Sequence, residues 1–63
     1  MKFAENDVVR VKVNKETARI GDIGTIVCAF DNPNEAYDVE IVNEDGTTKA
    51  LIVFLPDELE KYG

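Results

Sequence analysis

Chemistry in a protein begins with side chains that can attack, shuttle a proton or hold a metal, and this 63-residue chain has few of them. It contains no His, no Ser and no Trp. His is the commonest general acid or base, and zinc centres draw on clusters of His and Cys. The single thiol, Cys28, lies among Ile26, Val27, Ala29 and Phe30. A reactive thiolate needs a nearby cation or a helix N-terminus, whereas an apolar setting makes an inert, buried thiol. Carboxylates remain: Asp31, Glu35, Asp38, Glu40, Glu44 and Asp45 fall in a stretch free of Lys and Arg. Hard cations favour such oxygen ligands. Yet Asp31 to Glu35 has neither the glycine nor the length of a calcium loop, and Asp38 and Glu40 alternate along one segment. A solvated face is therefore expected, with no catalytic residue, no metal site and no cofactor site. The chain is expected not to be an enzyme, and no small-molecule substrate is evident.

Composition points the same way. The hydrophobic share is 44% and the charged share 32%, a globular balance rather than a disordered one. A domain of this size buries only about 60% of its unfolded surface, so its core is thin and association would help it. The net charge of −6 argues against phosphate-backbone binding, which gains affinity from Lys and Arg. No apolar run approaches the roughly 20 residues of a membrane span, and the first residues lack the apolar stretch of a secretory signal. With one cysteine and no internal disulfide, the expected location is the cytoplasm.

The elements follow from alternation. Val9, Val11 and Val13 fall on one side of a first strand over Asp7–Val13, opposite Arg10 and Lys12. A polar loop leads to Gly21-Asp22-Ile23-Gly24, where two glycines before a β-branched run predict a turn with positive φ or close backbone approach. The same four residues match the GXXG loop of KH domains only superficially, because that loop joins helices and here a strand follows. Ile20 and Ile23 are expected to tuck this loop onto the core. A second strand, Thr25–Phe30, would point Ile26, Cys28 and Phe30 inward. Asp31-Asn32-Pro33-Asn34 is dense in turn formers. In the third strand, Ala36–Val42, Tyr37, Val39 and Ile41 point in, while Asp38 and Glu40 point out. Asp45-Gly46 between two strand patterns is a strong hairpin signal. The fourth strand, Thr47–Leu55, is apolar on both parities: Leu51, Val53 and Leu55 on one, Ile52 and Phe54 on the other. Pro56-Asp57-Glu58-Leu59 predicts one helical turn, and Glu60-Lys61-Tyr62 a brief fifth strand. The expectation is a single all-β domain over residues 1–63, a small five-stranded antiparallel SH3-like barrel with a short C-terminal helical turn.

Asp7-Val8-Val9-Arg10-Val11, then Gly21-Asp22-Ile23-Gly24-Thr25-Ile26-Val27, Ala36-Tyr37-Asp38-Val39-Glu40-Ile41 and Leu55-Pro56-Asp57-Glu58-Leu59 occur in that order. In this the chain resembles a family of short, single-domain bacterial proteins of unassigned function, which pairs a GD-x-G-T-V-V turn-strand with an A-Y-x-V-E-F strand. The Gly-Asp-x-Gly-Thr element is also similar to the turn of KOW-type modules and of small SH3-like subunits such as those of nitrile hydratase and photosystem I. Those relatives dock to a larger partner or to RNA, so the resemblance implies binding rather than chemistry.

Two features bear on what would be bound. Residues 1–19 carry five basic and three acidic side chains, whereas residues 20–63 carry two basic and ten acidic ones. Arg10 and Lys12 on the first strand thus make a basic surface for a complementary partner or for acids of neighbouring strands. The apolar second parity of the fourth strand, Ile52 and Phe54, is the expected outer patch, with Val27 and Val42 of neighbouring outward rows as its extension, unless Met1-Lys2-Phe3 or Tyr62 covers it. The expectation is a non-enzymatic protein-interaction module, docking or self-associating through Ile52, Phe54, Arg10 and Lys12. The alternative is a KOW-like nucleic-acid-binding module using Arg10, Lys12, Lys15 and Arg19.

Overall fold

A computed structural model describes residues 1–63. Five strands form: β1 (Val8–Val11), β2 (Ile23–Phe30), β3 (Ala36–Val42), β4 (Thr48–Phe54) and β5 (Leu59–Lys61). A single 3-10 turn, Pro56–Glu58, separates the last two. All neighbours pair antiparallel in one sheet of order β4-β3-β2-β1-β5. The all-β class, the strand count and the C-terminal turn are as the sequence predicts. Closure is not: the ladder ends at β4 on one side and β5 on the other. β5 has only three residues, and its pairing is with β1, which leaves β4 with β3 as its sole neighbour.

Local chemistry explains the boundaries. β1 stops at Val11 rather than Val13 because the Lys12 N–H donates to the Glu58 carbonyl in the turn before β5, at 2.8 Å. The loop between β1 and β2 folds back on itself through Lys15 and Ala18, whose backbones exchange hydrogen bonds. Its anchor in the core is Ala18, fully buried; Ile20, expected there, is 65% exposed and Ile23 only half-buried. The two glycines of the turn divide the two predicted roles. Gly21 takes φ +95°, and Gly24 lies so close to β3 that a Cβ would meet Val39 Cγ1 at 2.6 Å. At the β3–β4 hairpin, Gly46 adopts φ +88° and the Asn43 N–H donates to the Thr47 carbonyl at 2.8 Å.

The core lies on one face of this sheet. β3 contributes Tyr37, Val39 and Ile41 as its alternation predicts, and β1 contributes Val9 and Val11. On β2 the pattern breaks. A bulge between Ile26 and Cys28 inserts a residue, which shifts the parity of everything after it. Ile26 stays buried, but Ala29 packs on the core in place of Phe30, which is 41% exposed, and Cys28 is half-buried.

β4 corrects the sequence reading most directly. Ile52 and Phe54 are buried core residues, not an outer patch. Register is the reason. Directly opposed residues of an antiparallel pair share a face, and Ile52 opposes Val39 while Phe54 opposes Tyr37. Leu51 and Val53 oppose Glu40 and Asp38 and so point outward with them. When both parities of a strand are apolar, its own sequence does not choose the face; the neighbour's does.

The N-terminal segment covers one end of the core. Phe3 is buried, and its ring meets Tyr37 edge-on with centroids 5.3 Å apart at 74°. The buried Tyr37 hydroxyl accepts the Phe3 N–H at 3.0 Å and donates to the Glu35 carboxylate, which also accepts the Lys2 N–H at 2.9 Å. No buried side-chain polar atom is left without a partner.

Candidate functional site

The outward face of the sheet carries a set of exposed apolar side chains beside acidic ones. Its edge is β4, where Leu51, Val53 and, just beyond, Leu55 are exposed by 60%, 48% and 51%. They stand at alternate positions, as an extended backbone requires of residues on one face. Beside them on β3 run the acids: Glu40 opposite Leu51, Asp38 opposite Val53. β2 follows, with Thr25 opposite Glu40 and Cys28 opposite Asp38, and the exposed Val27 at the bulge. The face is therefore an aliphatic row flanked by an acidic row.

The free side of β4 adds a second feature. None of the backbone hydrogen bonds outside the paired strands involves Thr48–Phe54. Every other peptide group of such an edge points away from its neighbour and can pair with an arriving strand. The devices that blunt an edge sit at its start: the strand has no Pro, and its one charged residue, Lys49, is also the extra residue of a bulge opposite Ile41 and Val42, which leaves Ala50–Phe54 in regular register. That ammonium is held by the Asp22 carboxylate at 2.8 Å. At the far end, the Leu55 N–H is occupied by the Glu58 carboxylate at 2.8 Å, which ends the open stretch.

The basic residues lie elsewhere and are largely neutralised. Arg10, on β1, reaches Glu60 of β5 through Nε at 2.6 Å and stacks over the Tyr62 ring. Lys15 bonds the Glu58 carboxylate at 2.9 Å, and Lys61 lies 3.5 Å from Asp7. The Arg19 guanidinium donates to the carbonyls of Glu16 and Ala18. Lys12 is exposed and takes part in no ion pair. Arg10 and Lys12 thus sit on the β1 side of the sheet, with β2 and β3 between them and the β4 row, and the four residues expected to form one surface do not come together. On the acidic side, neither Asp38 nor Glu40 has a cation partner; the Glu40 carboxylate accepts only the Thr48 hydroxyl, at 2.5 Å.

Electrostatics confirms which carboxylates are engaged. The Lys49 hydrogen bond, and then the Arg19 N–H, hold Asp22 below the usual carboxylate range. For Glu58, burial pushes the carboxyl up, but the Leu55 N–H and Lys15 together outweigh it and the net direction is down. Glu35 is lowered by the Tyr37 hydroxyl and next by the Lys2 N–H, while burial and then Glu35 push Tyr37 up. These groups join strand to loop: Asp22 holds Lys49 at the start of β4, Glu58 holds Leu55 just past its end, and Glu35 meets the N-terminal segment.

Concavity is slight. One open cleft of about 290 Å³ lies between the turn before β2 and the β3–β4 hairpin, lined by Gly21, Asp22, Ile23, Val42, Asn43 and Glu44. Of its two carboxylates, Asp22 is already bound to Lys49. No three side chains of the metal-binding types gather anywhere in the chain. No helix is long and apolar enough to cross a membrane.

Sequence reasoning missed Leu51, Val53 and Leu55 as the outward set. The signal that identifies them is the Asp38/Glu40 alternation on β3, read across the Asp45-Gly46 hairpin. No curated protein and no solved structure matches the chain. A family model does, over residues 5–61, and the chain belongs to that family, described as a domain of unknown function, DUF4926.

Proposed function

We propose that this chain is a non-enzymatic protein-interaction module that docks through the outer row of β4 and its unpaired edge. One observation carries the reading: two large aliphatic side chains, Leu51 and Val53, stand exposed at alternate positions on a strand with a neighbour on one side only, and Leu55 continues the row just beyond it. Exposed apolar rows and open edges are costly in a free chain and mark contact surfaces. The meander around one core, with β5 returned alongside β1, supports the SH3-like reading, as a barrel left open between β4 and β5. Protein rather than nucleic acid is the proposed ligand class. Arg10 and Lys15, half of the basic set a KOW-like surface would use, are held by Glu60 and Glu58. The lone, half-buried Cys28 supports a reducing, cytoplasmic setting.

The test compares the chain with its Leu51→Asp and Val53→Asp variants, as bait in affinity purification from the source cell and by light scattering. Both variants should keep the wild-type circular dichroism and lose association or co-purifying protein. Association unchanged in both, or salt-sensitive RNA binding with no protein partner, would overturn the reading.

A further inference from the structure

Resting on that docking reading, we infer that the occupant of the β4 edge is a basic, extended segment of another protein, seated as a sixth strand with Lys or Arg at alternate positions. The argument begins with the two adjacent rows of the outer face. A strand added beside β4 would lie about 4.8 Å from it and roughly 10 Å from β3. Its outward side chains would cross Leu51 and Val53 before reaching Glu40 and Asp38. A Lys or Arg side chain fits that path, with an aliphatic stem for the apolar row and a cationic head for the acid beyond it. An aliphatic residue would use the first row and leave the second unpaired; an acidic one would be repelled.

Charge also decides against a second copy of the chain. Its own β4 would bring Leu51, Val53 and Leu55, with Lys49 as its only cation, already held by Asp22. Four of the seven basic residues sit in internal ion pairs, leaving Lys2, Lys12 and Arg19, none of them on an unpaired strand edge. The inward parity of β4 is closed, since Ile52 and Phe54 are buried, so only every second residue of the guest is read here. Lys or Arg at i and i+2 is therefore the required pattern.

The probe is a fluorescent peptide of alternating Lys and Val, titrated against the full chain by anisotropy. Three control peptides are used: one with Glu for Lys, one of the same composition with its lysines in a block, and one with a central Pro. The alternating peptide should bind, and the Glu, block and Pro peptides should each bind at least tenfold more weakly. The double variant Asp38→Asn, Glu40→Gln should weaken the alternating peptide about tenfold, as expected for two partly exposed ion pairs. Both replacements keep a side-chain acceptor, so the Thr48–Glu40 contact survives and folding is preserved. No binding of the alternating peptide, equal binding of the block peptide, or an unchanged affinity in the double variant overturns the basic-strand inference. A dimer seen in light scattering and abolished by Val53→Asp would also overturn it, while leaving the β4 docking reading intact.

Discussion

The Phe3 N–H donates to the buried Tyr37 hydroxyl at 3.0 Å while the two rings meet edge-on, so the N-terminal segment is joined to β3 by a polar and an apolar contact at one point. The segment precedes the first strand and has no ladder of its own. Besides this junction it is held by the Lys2 N–H on Glu35 and the Asn6 N–H on the Ile26 carbonyl.

Tyr37→Phe should therefore cost about 1–3 kcal/mol, because the Phe3 N–H would be left buried without an acceptor. Urea denaturation measures the loss. A double-mutant cycle with Phe3→Leu should show coupling between the two positions, since they are in direct contact.

Acid should destabilise the fold in a defined window. Asp22 and Glu58 have folded-state pKa values below their ordinary 3.8 and 4.5. The unfolded chain then binds more protons in that range, so their contribution is complete above about pH 4.5 and is lost as pH falls through the lowered values. Lys49→Met and Lys15→Met should flatten this acid limb in urea midpoints measured from pH 6 downward. Tyr37 works in the opposite direction. Its pKa is raised above 10.0, so its contribution is intact below pH 10 and declines as alkalinity increases further.

The two turn glycines should respond differently to alanine. At Gly24 a Cβ would fall 2.6 Å from Val39 Cγ1 and 2.7 Å from the Glu40 carbonyl oxygen, and backbone cannot give way cheaply. Gly24→Ala should cost about 1–3 kcal/mol or more by overpacking. At Gly21 there is open space, and only the positive φ opposes a side chain, so about 1 kcal/mol is expected. Thermal melts of the two variants order the costs.

Neighbouring residues on β4 should separate folding from surface. Phe54→Ala removes a fully buried ring and should cost about 3–5 kcal/mol, enough to unfold most of a marginal small domain. Val53→Ala, on the exposed side, should change stability by less than about 1 kcal/mol. Chemical denaturation of both variants checks the assignment of faces.

Most of the strand pattern was legible because alternation is a local signal. β3 shows it best: Tyr37, Val39 and Ile41 against Asp38 and Glu40 leave a single choice of face. The hairpin at Asp45-Gly46 and the turn at Gly21 were legible from residues that tolerate positive φ. What failed was non-local. The bulge after Ile26 has no mark in the β2 sequence, and it exchanged Phe30 for Ala29 at the core. The β4 face depended on pairing with β3, and the open edge depended on where β5 finds its partner. Ile52 and Phe54, expected outside, thus face the core, and Arg10 and Lys12 lie on another part of the sheet.

Hydrogen exchange along β4 tests the docking surface most directly. In the free chain, amides of Thr48–Phe54 that point away from β3 should exchange readily, as expected of an edge open to solvent. With the co-purified partner bound, those amides should become protected, while exchange at the β5 edge stays unchanged. Protection that appears on β5 or in the loop between β1 and β2, with the β4 amides still exchanging as in the free chain, would contradict a docking surface on β4.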